Sequence, residues 1–232
     1  MKHILITGVS TGIGYGTAAA FLKRGYTVFG SVRNQNDATR LGEDFGPRFT
    51  PLIFDVTDES AVTRGAARVR ELIGDGGLAG LINNAGIAES GPLLHMPMDA
   101  FRRQFEVNVT GQLIVTRIFA PLLGAMHGCP YPPGKIIFIG SSSGKIPHLF
   151  LGAYTGSKFA LEGMARVLRM ELMLYGIKVV IIGPGAVSSA IWRKESAVRG
   201  ADIYQQTDYA ESVKRFQKYF LASGRTGYDI LA

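Results

Sequence analysis

Short apolar runs alternate along the chain with longer stretches in which apolar residues recur at helical spacing. The helical stretches include 15–23, 110–126 and 157–174. The apolar runs, rich in Val, Ile, Leu and Phe, predict six buried strands at 3–6, 27–32, 50–54, 78–82, 135–139 and 178–182. Buried strands that alternate with helices predict an α/β fold, a doubly wound parallel sheet with helices on both faces.

Length and loop signals indicate one domain, residues 1–232. A chain of 232 residues suits a single large α/β domain, and its hydrophobic content of 47% is ordinary for a globular protein with a full core. Prolines between Cys129 and Gly134 must interrupt any helix, so a surface loop is expected before the fifth strand. After Gly185 the rhythm changes to a segment rich in polar and aromatic residues, at about 186–220.

A glycine-rich turn follows the first predicted strand. Its sequence is Thr7-Gly8-Val9-Ser10-Thr11-Gly12-Ile13-Gly14, and a helical stretch comes next. Glycines allow the backbone to approach a pyrophosphate, whose charge then meets free N–H groups and the positive end of the helix. The motif alone is weak evidence, because the chain has 30 glycines and an ordinary turn also explains it. Three residues separate Gly8 from Gly12, so the spacing differs from G-x-G-x-x-G.

Further motifs follow the later strands or open helices in a fixed order. They are Asp55-Val56, Asn83-Asn84-Ala85-Gly86, Asn108, Ser141, Tyr154-x-x-x-Lys158 and Pro184-Gly185. Together with the glycine turn, over residues 3–189, they resemble the short-chain dehydrogenase/reductase family in its compact, non-extended branch. A Tyr with a Lys four positions later is poor evidence alone, whereas the ordered set is specific. The resemblance implies a Rossmann-like sheet of order 3-2-1-4-5-6, with the motifs gathered where strands end.

The resemblance implies an oxidoreductase that interconverts a secondary alcohol and a ketone or aldehyde by hydride transfer with NAD(P). That chemistry needs a group that exchanges the hydroxyl proton. An isolated tyrosine titrates at about 10, and moving it to about 7 takes roughly 4 kcal/mol of phenolate stabilisation. Lys158 lies one helical turn after Tyr154 on the same face, so its ammonium can supply much of that stabilisation.

The catalytic tetrad of the family corresponds to Asn108, Ser141, Tyr154 and Lys158. Ser141 precedes Tyr154 by the family's interval of thirteen positions (154 − 141) and is expected to hydrogen-bond the substrate oxygen. Asn108 is expected to kink its helix and to hold a water that connects Lys158 to solvent. Ser143 shares one side of an extended segment with Ser141 and is the second candidate serine, as a pocket residue. Each of these residues alone also suits a structural role.

NADP is favoured as the cofactor, with NAD as the alternative. Enzymes that select NAD usually have an acidic residue at the end of the second strand, where this chain has Ser31, and Arg33 can pair with a 2′-phosphate. Stronger NADP signals would be basic residues at the places of Thr11 and Val32. The resemblance implies cofactor contacts from Gly8, Ser10, Thr11, Gly12, Ile13, Gly14, Arg33, Asp55 (adenine), Val56, Asn84 (adenosine ribose), Ala85, Gly86, Tyr154, Lys158, Pro184, Gly185, Val187 and Ser189.

The substrate is predicted to be a small alcohol or carbonyl compound of apolar character. The stretch 154–163 is similar to the hydroxysteroid and retinol dehydrogenase branch of the family. The resemblance places a substrate-covering segment at about 186–220. Expected substrate contacts are Ser141, Ser143, His148 and Trp192, with Leu149 and Phe150 as further apolar wall. An ordinary loop histidine is the alternative for His148.

Composition argues against several other classes of protein. The net charge is +7 and the pI is about 9.6, but the positive residues are scattered, so no nucleic-acid partner is expected. The single cysteine, Cys129, excludes an internal disulfide, and no pattern of metal ligands is present. No apolar run reaches the roughly 18 to 20 residues of a membrane span, and the first strand starts too early for a signal peptide. A cytoplasmic protein is expected.

Two expectations concern assembly and role. The resemblance implies a homodimer or homotetramer formed through two long helices. Members of the family continue with a further helix and a seventh strand, so either the sequence continues beyond residue 232 or the protein is unusually short. A cofactor-binding regulator or scaffold without turnover is the alternative function. The intact tetrad argues against this alternative, since a binding protein does not need both Tyr154 and Lys158.

Overall fold

The computed structural model describes residues 2–185, 187, 191 and 203–223 of the chain. In this part, one sheet of parallel strands has the order β3-β2-β1-β4-β5-β6. The strands are β1 (His3–Ile6), β2 (Thr27–Val32), β3 (Phe49–Ile53), β4 (Leu78–Asn83), β5 (Lys135–Ile139) and β6 (Lys178–Ile182). The predicted strands are confirmed to within about one residue, and so is their order, which reverses direction between β1 and β4.

Helices cover both faces of the sheet. In chain order they are α1 (Gly12–Lys23), α2 (Gln35–Phe45), α3 (Glu59–Ile73), α4 (Met98–Phe105), α5 (Gly111–Phe119), α6 (Gly152–Glu171) and α7 (Ala210–Ser223). The π-helical turn Glu106–Thr110 joins α4 to α5 without a break in helical conformation. The proline-rich segment 129–134 forms neither helix nor strand, as predicted. Among the helices described, none combines the length and the apolar character that crossing a membrane requires.

Two apolar layers hold the helices against the sheet. Alternate residues of a strand point to opposite faces, and β1 shows this clearly. Leu5 belongs to a cluster with buried residues of α3, α5 and α6, whereas Ile4 and Ile6 belong to a cluster with residues of α1 and α2. Because the central strands are buried on both faces, the sequence shows them as continuous apolar runs.

The helices around the carboxyl edge of the sheet begin earlier than the apolar pattern predicts. The predicted helix 110–126 is preceded by α4 and the π-helical turn, and α6 begins at residue 152 rather than 157. The reason lies in the buried faces of these helices. The buried residue of α4 is Gln104, and the start of α6 buries Tyr154, Ser157 and Lys158. A polar inward face gives no apolar period, so the hydrophobic pattern does not reveal these turns.

Candidate active site

A cleft opens at the carboxyl edge of the sheet, where the strand order reverses between β1 and β4. Ligands of doubly wound sheets bind at this position. The cleft is lined by the glycine turn, by residues at the strand ends and by α6. Most of the predicted cofactor contacts line it, namely Gly8, Ser10, Thr11, Gly12, Ile13, Arg33, Asp55, Val56, Asn84, Ala85, Gly86, Tyr154, Lys158, Pro184, Gly185 and Val187.

The glycine turn forms one side of this cleft, and its geometry suits an anion. Gly8 and Gly12 have φ of +69° and +62°, in the left-handed region that favours glycine. Helix α1 follows with no acidic residue in its first turn and no hydrogen bond from the side chain of Thr11, its N-cap. The first amides of α1 and the positive end of its dipole therefore suit a pyrophosphate. Gly14 packs behind the turn, where a Cβ would strike the Gly8 carbonyl oxygen.

Asn84 ties the loop after β4 to the glycine turn. Its Nδ2 donates to the carbonyl oxygens of Thr7 (2.8 Å) and Gly8 (3.0 Å). The Oγ1 of Thr7 accepts from the amides of Asn84 (2.9 Å) and Ala85 (3.0 Å). These four bonds join the two loops that meet at the reversal of strand order. Asn84 lines the cleft while its side-chain N–H groups are bound to the protein.

The end of β2 presents a cation and no carboxylate to the cleft. Ser31, which occupies the place expected for an NAD-selecting carboxylate, is buried, and its Oγ accepts from the Gly8 amide (3.0 Å). Arg33 is exposed and lines the cleft. Within the described residues, no hydrogen bond or ion pair joins its guanidinium to another side chain. Asp55 follows β3, and its Oδ1 accepts from the amide (3.0 Å) and hydroxyl (2.8 Å) of Thr57, which fixes the carboxylate.

Lys158 is anchored between β5 and α6 at the other end of the cleft. Its Nζ donates to the carbonyl oxygen of Ile139 (2.8 Å) and lies 5.7 Å from the centroid of the Tyr154 ring. Burial lowers the pKa of Lys158 to about 8. An ammonium has three donors, so two remain beyond the bond to Ile139. The side chain can therefore support Tyr154 and bind a further acceptor.

Ser141 follows β5 and hydrogen-bonds the hydroxyl of Tyr154. Burial raises the pKa of Tyr154, and this hydrogen bond lowers it. The Oγ of Ser141 also accepts from the Ser143 amide (3.1 Å), which leaves the Ser141 proton to be donated to Tyr154. Both hydroxyl groups line the cleft. The pair can therefore meet one substrate oxygen, with Tyr154 as the proton donor.

Asn108 lies in the π-helical turn and holds the loop after β4 against α6. Its Oδ1 accepts from the Ile87 amide (2.9 Å), and its Nδ2 donates to the Ile87 carbonyl (3.0 Å) and to the Ser157 hydroxyl (3.1 Å). Ser157 in turn donates to the carbonyl of Tyr154 (2.7 Å). Asn108 is fully buried and does not line the cleft, so its links to the site run through Ile87, which lines the cleft, and through Ser157. The expected helix irregularity takes the form of this π-helical turn, a common feature of functional sites.

Of the predicted substrate contacts that the structure describes, Ser141 alone lines the cleft. Ser143 is buried behind Ser141, and His148 is exposed on the loop before α6. The structure therefore does not bring the His148 side chain to the site. Trp192 and the predicted cofactor contact Ser189 lie outside the described residues.

The wall next to Tyr154 is formed by apolar residues that the sequence did not single out. Ala88 and Ile191 line the cleft, and both pack with Leu151 and Phe216 around Tyr154. Phe216 comes from α7, so part of the segment 186–220 packs against the start of α6.

Neither Leu149 nor Phe150, the residues predicted as further apolar wall, lines the cleft that the described residues form. Leu149 is 70% exposed. Phe150 packs instead in a separate cluster with Tyr204 and Val213. Its φ of +57° turns the chain there, a conformation that a sequence pattern does not reveal for a non-glycine residue.

Asn108 belongs to a row of buried amides that supports the site, and the other two members, Gln104 and Gln112, are absent from the sequence predictions. Gln104, Asn108 and Gln112 recur at four-residue intervals along α4, the π-helical turn and α5. Gln104 accepts from the Glu89 amide (2.7 Å) and donates to the Ile87 carbonyl (2.9 Å), and Gln112 donates to the Ala85 carbonyl (3.0 Å). The spacing of these amides was the available signal, because buried polar groups on one helix face need partners.

Comparison with known families agrees with this geometry. Residues 2–199 match the family described as short chain dehydrogenase. The chain belongs to the short-chain dehydrogenase family. The resemblance is thereby confirmed, and so is the prediction of an oxidoreductase that acts on CH–OH or carbonyl groups.

Curated relatives are dehydrogenases and reductases of the same family. The chain is 40% identical over 218 residues to the NADPH-dependent 3-dehydrocapnine reductase of Ornithobacterium rhinotracheale, covering 94% of this chain and 76% of that protein. It is 33% identical over 195 residues to estradiol 17-beta-dehydrogenase 2 of Mus musculus, covering 82% of this chain. The chain spans 49% of the length of that second relative.

A solved structure shares the fold. It is a short chain dehydrogenase/reductase from Burkholderia phymatum in complex with NAD, with a TM-score of 0.83 and 22% identity over 99% of this chain and 82% of that chain. At this identity the likeness shows the fold alone, and it confirms the Rossmann-like architecture.

Proposed function

We propose that this short-chain dehydrogenase reduces a ketone or aldehyde to an alcohol with NADPH, and catalyses the reverse reaction with NADP⁺. One observation carries the proposal: Ser141, Tyr154 and Lys158 meet at one end of a cleft that has a glycine turn at its other end. The relative from Ornithobacterium rhinotracheale, an NADPH-dependent reductase by name, supports the same cofactor and direction.

The residues of the cleft fit a nicotinamide dinucleotide. The glycine turn and the first amides of α1 suit the pyrophosphate, and the fixed carboxylate of Asp55 suits the adenine. Pro184, Gly185 and Val187 line the end near Tyr154, where the nicotinamide would lie. When bound, the reduced cofactor supplies the hydride.

Tyr154 donates the proton to the carbonyl oxygen during reduction, so the site must stabilise a phenolate. At the 5.7 Å between Lys158 Nζ and the ring centroid, the Coulomb attraction is about 3 kcal/mol for an effective dielectric constant of about 20. A hydrogen bond from Ser141 to the charged oxygen adds about 1.5 to 3 kcal/mol. Both contributions favour the phenolate and oppose the burial that raises the pKa of Tyr154. Ser141 also holds the substrate oxygen next to Tyr154.

NADPH is favoured over NADH because of the end of β2. A carboxylate there would bond the ribose hydroxyls of NADH and repel a 2′-phosphate. This chain has the apolar Val32 and the cation Arg33 at that place, and the hydroxyl of Ser31 is used by Gly8. A guanidinium can bind a phosphate through two parallel hydrogen bonds. NAD remains the alternative cofactor, with weaker binding.

The substrate is proposed to present an apolar group next to Tyr154. Ala88, Leu151, Ile191 and Phe216 form the apolar surroundings of the Tyr154 ring. Apolar contacts combined with one polar anchor are the usual way in which a pocket holds a small molecule.

The first test is a fluorescence titration with NADPH and NADH, followed by the addition of carbonyl compounds, including 3-dehydrocapnine, to the NADPH complex. The reverse reaction is tested with NADP⁺ and alcohols that include estradiol. We expect tight NADPH binding and oxidation of NADPH by at least one compound. Tight binding without turnover across the whole panel would favour the regulator or scaffold instead.

Replacing Tyr154→Phe removes the proton donor and keeps the ring. The expected result is a fall in kcat of about 100- to 10,000-fold, with the Kd for NADPH changed by less than about twofold. Tyr175→Phe is the matched control, because Tyr175 lies in the turn after α6 and away from the cleft. Unchanged turnover in Tyr154→Phe would refute the acid/base role.

We also propose that the protein forms a homodimer or homotetramer through α6. The helix and the turn after it expose large apolar side chains, namely Phe159 (45%), Met170 (64%), Met173 (71%) and Leu174 (81%). Large apolar side chains exposed along a long helix and the turn after it are typical of an assembly surface.

A further inference from the structure

Glu162 is a buried carboxylate to which the proposed chemistry gives no role. It lies on α6 one turn after Lys158, and its side chain is 11% exposed. Its Oε2 accepts from Lys145 Nζ (2.7 Å) and from Arg166 Nη2 (3.4 Å). Lys145 directly follows the helical turn Ser142–Gly144, whereas Arg166 belongs to α6 itself. The Lys145 pair therefore joins two elements, and the Arg166 pair lies within one.

The side chain of Glu162 lies against the loop that carries Ser141. A Cβ on Gly144 would stand 3.3 Å from Glu162 Cγ, and a Cβ on Gly140 would stand 3.9 Å from its Oε1. These two glycines lie on either side of Ser141 in the chain, so Glu162 approaches both ends of the Ser141 loop.

The same loop is bonded on its other side to the segment after β6. The Ser142 amide donates to the carbonyl of Pro184 (2.9 Å). The helical turn after Ser141 is thus held between the extension of β6 and the α6 carboxylate. Without the Lys145 contact, the loop would keep the Ser142 bond, a bond from the Gly140 amide to the Ile182 carbonyl (2.7 Å) and the glycine packing. The Lys145 pair is an ion-pair attachment of this loop to α6.

Glu162 does not act as the counter-charge of Lys158. A carboxylate next to Nζ would raise the pKa of Lys158, whereas burial lowers it to about 8. The hydrogen bonds of Glu162 go to Lys145 and Arg166 instead. Any effect of Glu162 on the site must therefore act through geometry.

We propose that the Lys145–Glu162 ion pair positions Ser141 by fixing its loop on α6, so that the Ser141 hydroxyl meets the hydroxyl of Tyr154. This inference rests on the proposed function, which places both hydroxyls on one substrate oxygen. Ser141 lies on a loop and Tyr154 on a helix, and a displacement of about 1 Å can cost about 100-fold in rate. The Lys145 side chain is 53% exposed, and an ion pair with an exposed partner adds little to the free energy of unfolding. Loss of the pair is therefore expected to change the reaction rate more than the stability of the fold.

The kinetic test uses three variants. Lys145→Met removes the charge at similar length, Lys145→Arg keeps it, and Arg166→Met removes the other partner of the same carboxylate. With NADPH and a carbonyl substrate found in the panel, Lys145→Met is expected to lower kcat by about 10-fold or more. KM for NADPH should change by less than about twofold, and the other two variants should keep kcat within about twofold of the wild type. An equal loss in Arg166→Met, or no rescue by Lys145→Arg, would overturn the proposal.

A second measurement does not depend on turnover. The absorbance of tyrosinate is followed against pH in each protein and in the same protein with the additional change Tyr154→Phe. The difference between the two titration curves gives the pKa of Tyr154. Loss of the Ser141 hydrogen bond raises this pKa, so a rise is expected in Lys145→Met and not in Arg166→Met. If the wild type oxidises no NADPH with any carbonyl compound, the proposed function fails. The titration alone then decides whether the Lys145–Glu162 pair positions Ser141. An unchanged pKa of Tyr154 in Lys145→Met overturns the positioning role.

Discussion

Lys158 lies in the interior with its ammonium bonded to the Ile139 carbonyl, and burial lowers its pKa from 10.5 to about 8. The unfolded chain keeps the ordinary pKa, so between pH 8 and 10.5 it binds more protons than the folded chain, and stability rises with pH across this window. Below pH 8 the lysine is charged in both states and the full cost of burial is present, about 3 kcal/mol. The charge that assists Tyr154 therefore weakens the fold.

Replacing Lys158→Met should raise the free energy of unfolding at pH 7 by about 2 kcal/mol, because about 1 kcal/mol is lost with the bond to Ile139. The advantage over the wild type should shrink as the pH rises from 8 to 10. Urea unfolding at several pH values checks this, with the exposed Lys135→Met as the control. If the difference in free energy of unfolding between Lys158→Met and the wild type stayed constant with pH, it would contradict a destabilising buried charge at Lys158.

Arg33→Ala should weaken NADPH binding by about 10-fold or more, because a hydrogen-bonded charge pair is lost. NADH binding should change by less than about twofold, since NADH has no 2′-phosphate. Arg64→Ala, at an exposed position of α3, is the control for loss of a surface charge. Fluorescence titration of the wild type and of both variants with NADPH and with NADH measures these affinities. An equal loss for NADH would remove Arg33 from the phosphate contact.

At the scale of elements, two helix glycines have opposite surroundings. A Cβ on Gly14 in α1 would strike the Gly8 carbonyl oxygen, whereas one on Gly163 in α6 would meet nothing within 4 Å. Gly163→Ala should therefore stabilise the protein by about 0.5 to 1 kcal/mol. Gly14→Ala should destabilise it and weaken NADPH binding, because the glycine turn must shift. Urea unfolding and the NADPH titration check both. If Gly14→Ala changed neither the stability nor the NADPH affinity, the glycine turn would have to accommodate the added methyl group without a loss.

The sequence predicted the limits of the strands more accurately than the limits of the helices. Each central strand is buried on both faces, so its apolar run marks its limits. The inward faces of α4 and α6 carry Gln104, Tyr154 and Lys158, and their polar character hides the first turns of these helices. The motif residues were located because they follow strands whose ends meet at one edge.

Loop side chains near the site could not be predicted in the same way. His148 and Leu149 are exposed, and Phe150 turns toward Tyr204 through a backbone with φ of +57°. The direction of Phe150 depends on tertiary packing against the segment around α7, which no local pattern encodes.

At the scale of the whole molecule, the exposed apolar side chains of α6 allow a test of assembly. Met170→Glu places a charge in the proposed interface, so we expect a shift from dimer or tetramer toward monomer in light scattering after size exclusion. Leu72→Glu, at an exposed position of α3, is the control, since it adds the same charge on another helix. A wild type that is already monomeric, or an unchanged mass in Met170→Glu, would contradict the α6 interface.

The strand order also sets a sequence of events during synthesis. β1 is made first and lies inside the sheet, β2 and β3 add outward on one side, and β4 to β6 add outward on the other. Gly8, Arg33, Asp55 and Asn84 are all in place once β4 has paired with β1, whereas Lys158 follows 74 residues after Asn84 (158 − 84). At about 5 to 20 residues per second, the ribosome needs roughly 4 to 15 seconds for that stretch. During those seconds the nascent chain has the groups proposed to hold the adenosine and the phosphates of the cofactor, and it lacks those proposed to hold the nicotinamide and to transfer the proton.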